Sequence, residues 1–462
     1  MQPLNYSKLI KSILSRKKLH IGDRIRVIKG KKYVYEGLLM PRPEVGDRDC
    51  IILKLDNGYN VGIRYEKGMV VQKGATAEPK AVEKEAAIEL GKIKEQFLKH
   101  YSFNPLKPKV SIIATGGTIA SRVDYRTGGV YMLMKPEEFL FNIPELRDFV
   151  NITSISNPFN KASEDLSPHD WKEIARLCES KINSGEGVII THGTDTLHFT
   201  AAVLSFMLRK KGEKWNMSHT LSKPVVLTGA QRSSDRGSTD AYMNLICSSI
   251  VAGSDIAHVG ICMHATQNDD YCYFMLGTRV RKMHTTRRDA FKAIGIQPLA
   301  KIWPDGKIES RAGYNKTTDE KIVADTNFEE KVALIKVYPG SEPKMLRFFQ
   351  KERYRGIVIE GTGMGHVPTL CKRSWIENIR KISDDVVVTI APQTLYGRLN
   401  KYVYSNLRIL SNAGAIILED MLPETAYVKL GWVLGHTKNL QKIKETMLTN
   451  IAGEITERSI IC

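Results

Sequence analysis

Residues 109–120 read KVSIIATGGTIA. Val110 to Ala114 form a short, mostly apolar run of the kind that fills a strand buried on both faces. The run stops at Thr115-Gly116-Gly117, where two glycines permit a tight turn and close backbone approach. The same pattern recurs down the chain in GVIIT (187–191), PVVLT (224–228), HVGIC (258–262), VALIKV (332–337), GIVIE (356–360) and VVVTIA (386–391). Most of these runs lead into a glycine and then a helical pattern. One such helix is HDWKEIARLCESKINSG, preceded by Ser167 as N-cap and Pro168 at the first helical position. Strands alternating with helices predict an α/β fold with largely parallel sheets.

Upstream the pattern changes. GDRIRVIKG, KKYVYEGLLMP, DCIILKLDNGYNVGIRY and MVVQ are short β-type runs punctuated by Gly, Pro and Asn-Gly. Asp56-Asn57-Gly58 is a hairpin signal. These runs predict a small N-terminal β-barrel over residues 1–72. Residues 73–107 read as a helical linker, ended by Pro105 and Pro108. Two α/β domains are expected to follow, at 108–320 and 321–462, with the polar stretch ending in TTDEKIVADTNFEE (317–330) as their joint. No internal repeat is evident.

The chain has 462 residues and a formal charge of +18. Residues 1–108 carry 22 Lys and Arg against 12 Asp and Glu. The basic excess is therefore densest in the N-terminal module and suggests a polyanionic partner. Composition is that of an ordinary globular protein, which excludes wholesale disorder and fibrous classes. No apolar run is long enough for a transmembrane helix, and no signal-peptide order is apparent at the N-terminus. The seven cysteines are scattered, with no zinc-ligand spacing, so a reducing cytoplasm and no metal site are expected.

In open α/β sheets ligands bind beyond the carboxyl ends of strands. Thr118, after the Gly116-Gly117 turn, is there a candidate nucleophile, although a threonine also caps helices. His192-Gly193-Thr194-Asp195-Thr196 follows GVIIT. Asp195 can hold an α-amino group and Thr194 can position water or a carbonyl; alternatively Asp or Thr caps a helix and His192 is a core residue. Gly229-Ala230-Gln231-Arg232 follows PVVLT but lacks the spacing of a phosphate loop. Gly277-Thr278-Arg279-Val280-Arg281-Lys282-Met283-His284 is basic. It offers a lysine for proton transfer or else a solvated loop.

TGGTIA followed by HGTDT, with Thr118 and Thr194 76 positions apart, resembles the bacterial-type L-asparaginases over residues 109–462. EDMLPETAYVKLGWVLG (419–435), VDYRTGGVY (123–131) and the N-terminal runs are similar to one subfamily, the glutaminase subunits of archaeal glutamyl-tRNA(Gln) amidotransferases. The resemblance implies an asparaginase-like pair of α/β domains that releases ammonia from glutamine. A partner, the E subunit of the amidotransferase, would use ATP and Mg2+ to convert Glu-tRNA(Gln) to Gln-tRNA(Gln). This chain would carry no cofactor of its own and would form a homodimer core within a heterotetramer in the cytoplasm. Residue by residue, the resemblance implies Thr118 as nucleophile, assisted by Tyr125, with Thr194, Asp195 and Lys282 also catalytic. It implies Ser163 and Glu164, with Gly117 and Gly193, in substrate binding. Met364 departs from the asparaginase pattern, which tends to have Asn there. The alternatives are a stand-alone L-asparaginase and a basic RNA-binding scaffold with vestigial loops.

Overall fold

In a computed structural model the chain divides into two compact units, residues 1–103, 118–143 and 232–239 in one, and residues 104–117, 144–231 and 240–462 in the other. The structure describes residues 5–30, 33–42, 46–56, 59–74, 104–116, 121–123, 130–132, 143–232 and 237–458.

The first unit holds a five-stranded antiparallel sheet. Its order is Asn60–Arg64, Cys50–Lys54, Tyr33–Leu39, Arg24–Lys29, Val70–Lys73. Alternation sets its inner face: Ile25 and Val27 are buried while Arg24 and Arg26 between them are not. Helix Lys8–Arg16 lays Ile10 and Leu14, four residues apart, into the same core. Ser7 caps this helix by accepting from the Ile10 N–H at 3.2 Å. The outer strands Asn60–Arg64 and Val70–Lys73 sit at opposite edges, so the described sheet is open and not the closed barrel expected. The expected hairpin is present, with Lys54 facing Asn60, although its Asn57-Gly58 tip lies outside the described residues. So does most of the expected linker helix, residues 75–103. Strands Ser121–Val123 and Val130–Met132 form a further antiparallel pair.

The second unit is built on two sheets. The larger has eight strands, ordered Ile308–Ser310, Ala300–Ile302, Cys272–Leu276, Val259–His264, Val225–Thr228, Gly187–Thr191, Lys109–Ala114, Asn151–Ser156. The last five in this order are parallel, and the first three extend the sheet antiparallel. The smaller sheet, Val332–Lys336, Gly356–Gly361, Val387–Pro392 and Ile416–Ile417, is wholly parallel. The central strands are apolar on both faces, and Gly187–Thr191 and Val225–Thr228 are buried throughout. Helices Leu197–Met207 and Pro423–His436 are apolar nearly all round and correspondingly buried. They pack on each other, with Phe206 stacked on Trp432 at 5.9 Å, and join the two sheets through one core. Among the described residues no helix is long and apolar enough to cross a membrane.

The parallel strands fix where a ligand can enter. Lys109–Ala114 lies between the strand that follows it, Asn151–Ser156, and the next, Gly187–Thr191. The chain thus leaves Ala114 toward one side of the sheet and Thr191 toward the other. The crevice at these two strand ends is the topological switch point, where open α/β sheets bind ligands.

Candidate active site

At the switch point Gly116 has φ +132°, and a Cβ there would lie 2.2 Å from the Lys161 carbonyl oxygen. Only glycine fits. The turn is held by the Thr115 N–H donating to the Thr191 carbonyl at 3.0 Å and by the Lys161 N–H donating to the Thr115 carbonyl at 3.1 Å. Lys161 Nζ then reaches Asp170 at 2.7 Å. Asp170 also accepts from the Ser167 N–H at 2.8 Å and closes the capping box of helix Pro168–Asn183. Burial opposes the charge of Asp170, but the hydrogen bonds from Lys161 and Ser167 outweigh it and hold its pKa below the usual value. Lys161 thereby ties the glycine turn to a helix start.

The second strand end carries His192-Gly193-Thr194-Asp195-Thr196. His192 is buried, and desolvation lowers its pKa to about 4, so the ring is neutral. Its Nδ1 lies 2.6 Å from the Gly193 carbonyl, an acceptor only, so Nδ1 carries the proton. Nε2 then accepts from the Thr200 hydroxyl at 2.9 Å, whose oxygen accepts from the Trp171 indole N–H at 3.1 Å. The histidine is a satisfied core residue that anchors the turn. A Cβ on Gly193 would lie 2.9 Å from Ser163 Cβ, so this glycine lets Ser163 approach. Thr196 Oγ1 donates to the Ser163 carbonyl at 2.6 Å, and the Thr196 N–H to Ser163 Oγ at 3.4 Å. Glu164, next in the same 3-10 turn, is exposed and accepts from Ser163 Oγ at 3.4 Å.

Lys282 comes from 88 residues beyond Thr194. Its Nζ donates to Thr194 Oγ1 at 2.9 Å and to Asp195 Oδ1 at 2.7 Å. The lysine side chain is 10% exposed and the aspartate side chain 66%. A mostly buried lysine nitrogen is thus shared between a hydroxyl and an outward-facing carboxylate. A hydroxyl, a lysine and a carboxylate within mutual hydrogen-bond reach are the residue types that nucleophile activation uses. The basic segment around Lys282 is not a solvated loop: Arg279 is 2% exposed.

The structure therefore brings Ser163, Glu164, Gly193, Thr194, Asp195 and Lys282 to one strand end. Thr118, Gly117 and Tyr125 lie outside the described residues. Sequence reading missed Lys161 and Asp170, of which Asp170 carried a signal, three residues after the Ser167 cap. It also missed Asn244. The Asn244 Nδ2 donates to the Gly229 carbonyl and to Asp240 at 3.0 Å each, and so shapes the turn after Val225–Thr228. Among the described residues no group of three or more His, Cys, Asp or Glu side chains could hold a metal.

Residues 109–315 match the family Asparaginase, N-terminal, and residues 331–447 the Glutaminase/Asparaginase C-terminal domain. Residues 19–72 match the GatD N-terminal domain. The D subunit of the glutamyl-tRNA(Gln) amidotransferase of Pyrococcus furiosus is 48% identical over 455 residues, 97% of each chain. The chain belongs to the family of glutamyl-tRNA(Gln) amidotransferase D subunits. Within that family the D subunit of Methanopyrus kandleri is 43% identical, over 95% of this chain and 92% of its own. Among solved structures, the thermostable L-asparaginase from Thermococcus kodakarensis matches with TM-score 0.66 and 30% identity. It accounts for 76% of this D-subunit family member and all of the asparaginase.

Proposed function

We propose that the chain is the glutamine-hydrolysing component of a tRNA-dependent amidotransferase. The observation that carries this reading is the contact of Lys282 with both Thr194 and Asp195, in a chain similar to D-subunit relatives over nearly its whole length. A stand-alone asparaginase accounts for less. The solved asparaginase is matched in full yet covers only 76% of the chain, and the segment 19–72 matches a GatD domain.

In the proposed mechanism Asp195 and Glu164 hold the α-ammonium of glutamine, and Ser163 its α-carboxylate. Thr118 attacks the side-chain amide carbon. A threonine hydroxyl is a weak nucleophile until a base takes its proton. Tyr125, or the Thr194–Lys282 pair through water, fills that role. Backbone N–H groups at Gly117 and Gly193 stabilise the oxyanion, an effect worth about 3 kcal/mol per donor. The base returns that proton to the amide nitrogen, so that the C–N bond breaks and ammonia leaves, and water then hydrolyses the acyl-enzyme to glutamate and frees the Thr118 hydroxyl. The ammonia passes to a partner, the E subunit, which holds ATP and Mg2+ and amidates Glu-tRNA(Gln). The proposed assembly is cytoplasmic, with a homodimer of this chain at its core. Its domains are proposed to be a basic N-terminal module (1–72), a linker (73–107) and two α/β domains (108–320, 321–462), with the active site in the first of these two. The basic N-terminal module supports a tRNA-bearing partner.

The test is to measure hydrolysis of glutamine and asparagine with and without the E subunit and Glu-tRNA(Gln). The reading predicts that glutamine is preferred and that its turnover responds to the partner and the tRNA. Fast asparagine hydrolysis indifferent to both contradicts it.

A further inference from the structure

Lys282 ends the three-residue strand Val280–Lys282, which among the described residues pairs only with Phe291–Ala293. This ribbon belongs to neither large sheet, and a two-stranded ribbon is marginal on its own. Yet the lysine nitrogen must stay within about 3 Å of two groups from another loop. Something else fixes the ribbon.

The fixing bonds come from the EDMLPET segment, where Asp420 stands 141 residues beyond Arg279. The Thr425 hydroxyl donates to the Thr278 carbonyl at 2.9 Å. Arg279 is buried, and its Nη1 donates to the Asp420 carbonyl at 2.7 Å while its Nη2 reaches Asp420 Oδ2 at 3.2 Å. The same guanidinium donates through Nε to the Ile294 carbonyl at 3.1 Å, and through Nη1 to that of Glu454 at 3.3 Å. Arg281 Nη2 meets Glu424 Oε1 at 3.0 Å. Successive side chains of a strand point to opposite faces. Arg281 therefore turns to Glu424, and Lys282 turns to Thr194 and Asp195.

Glu424 is an expensive residue to keep. Its side chain is 10% exposed, at the start of helix Pro423–His436, and its Oε2 has no hydrogen-bond partner among the described residues. Burial raises its pKa, with Arg281 as the main opposing influence. A half-satisfied buried carboxylate is rarely kept for stability alone.

We propose that Asp420, Glu424 and Thr425 are positioning residues for Lys282: they clamp Thr278–Lys282 from one face so that the lysine nitrogen is held against Thr194 and Asp195 on the other. The proposal rests on the reading that Lys282 serves the amide chemistry. It gives the EDMLPET segment a task in the active site, although it touches none of the candidate catalytic groups.

The experiment measures kcat and KM for L-glutamine in the assembled complex for Glu424→Gln, Arg281→Ala, their double variant, Arg281→Lys and Lys282→Ala, with thermal unfolding of each. A misplaced catalytic group costs about 10- to 100-fold in rate. Glu424→Gln and Arg281→Ala should each lower kcat on that scale, with KM within about twofold and the folded state intact. The double variant should lose no more than the worse single one, because both cut the same link. Arg281→Lys should recover part of the loss. Near-normal kcat in folded Glu424→Gln and Arg281→Ala, with Lys282→Ala inactive, overturns the clamp alone. Near-normal turnover in Lys282→Ala overturns the reading of Lys282 and the clamp with it.

Discussion

Burial lowers the pKa of four histidines in the second unit, His192, His198, His219 and His258. Desolvation lowers His192 and His258 to about 4 and, with nearby Arg281 and Lys282 adding to it, His198 to about 3. An unfolded histidine binds its proton near pH 6.5. Between that pH and the folded values the unfolded chain holds more protons, so stability is full above about pH 6.5 and falls as the pH drops toward 4. Each fully shifted histidine contributes on the order of 3 kcal/mol to this loss. Denaturant unfolding at pH 7 and pH 5 should therefore show a clear fall, and equal stabilities at the two pH values contradict the neutral buried rings. The residue scale is also where the sequence spoke most plainly about the site. Thr194 and Asp195 were legible because polar groups directly after a buried apolar run stand at a sheet edge, whereas Lys282 was singled out by the family resemblance. His192 could be read as ligand or core, and its bonds to Gly193 and Thr200 make it core. Lys161 was not legible, because its importance depends on where the Gly116 turn places the Lys161 backbone.

At the scale of elements, the turn after Lys109–Ala114 is the most constrained. Gly116→Ala would place a methyl carbon 2.2 Å from the Lys161 carbonyl oxygen at φ +132°. The variant should lose at least about 2 kcal/mol of stability, as for other strained backbone positions. Glutamine turnover should fall with it, because Gly117 and Thr118 follow directly in the chain. Unchanged unfolding and turnover in Gly116→Ala contradict the described turn. Seven of the nine described parallel strands were readable from their apolar runs, and the structure places them within one or two residues; Asn151–Ser156, only partly buried, and the two-residue Ile416–Ile417 were not. The antiparallel extension through Cys272–Leu276, Ala300–Ile302 and Ile308–Ser310 was not. Two of its strands have only three residues, and Ile308–Ser310 is largely exposed. Such strands bury too little to leave a pattern. The helix start at Ser167-Pro168 was readable because its capping is local in sequence.

At the scale of the molecule, the charge of +18 separates into paired and unpaired parts. On the N-terminal sheet Arg24 and Arg26 meet Glu36, Arg24 also meets Asp56, Lys29 meets Glu66, and Arg64 meets Asp47. Lys8, Lys11, Arg16, Lys17 and Lys18 on and after the first helix are exposed, and no ion pair engages them among the described residues. The excess is thus densest in the N-terminal module, while the candidate catalytic groups sit in the less basic asparaginase-like body. This body supplies ammonia to a second site. The most direct test of that supply is Thr118→Ala in the complex with the E subunit, assayed for Gln-tRNA(Gln) formation from Glu-tRNA(Gln) with either glutamine or ammonium chloride as nitrogen donor. The account predicts loss of glutamine-dependent product and retention of ammonium-dependent product; undiminished product from glutamine would contradict it.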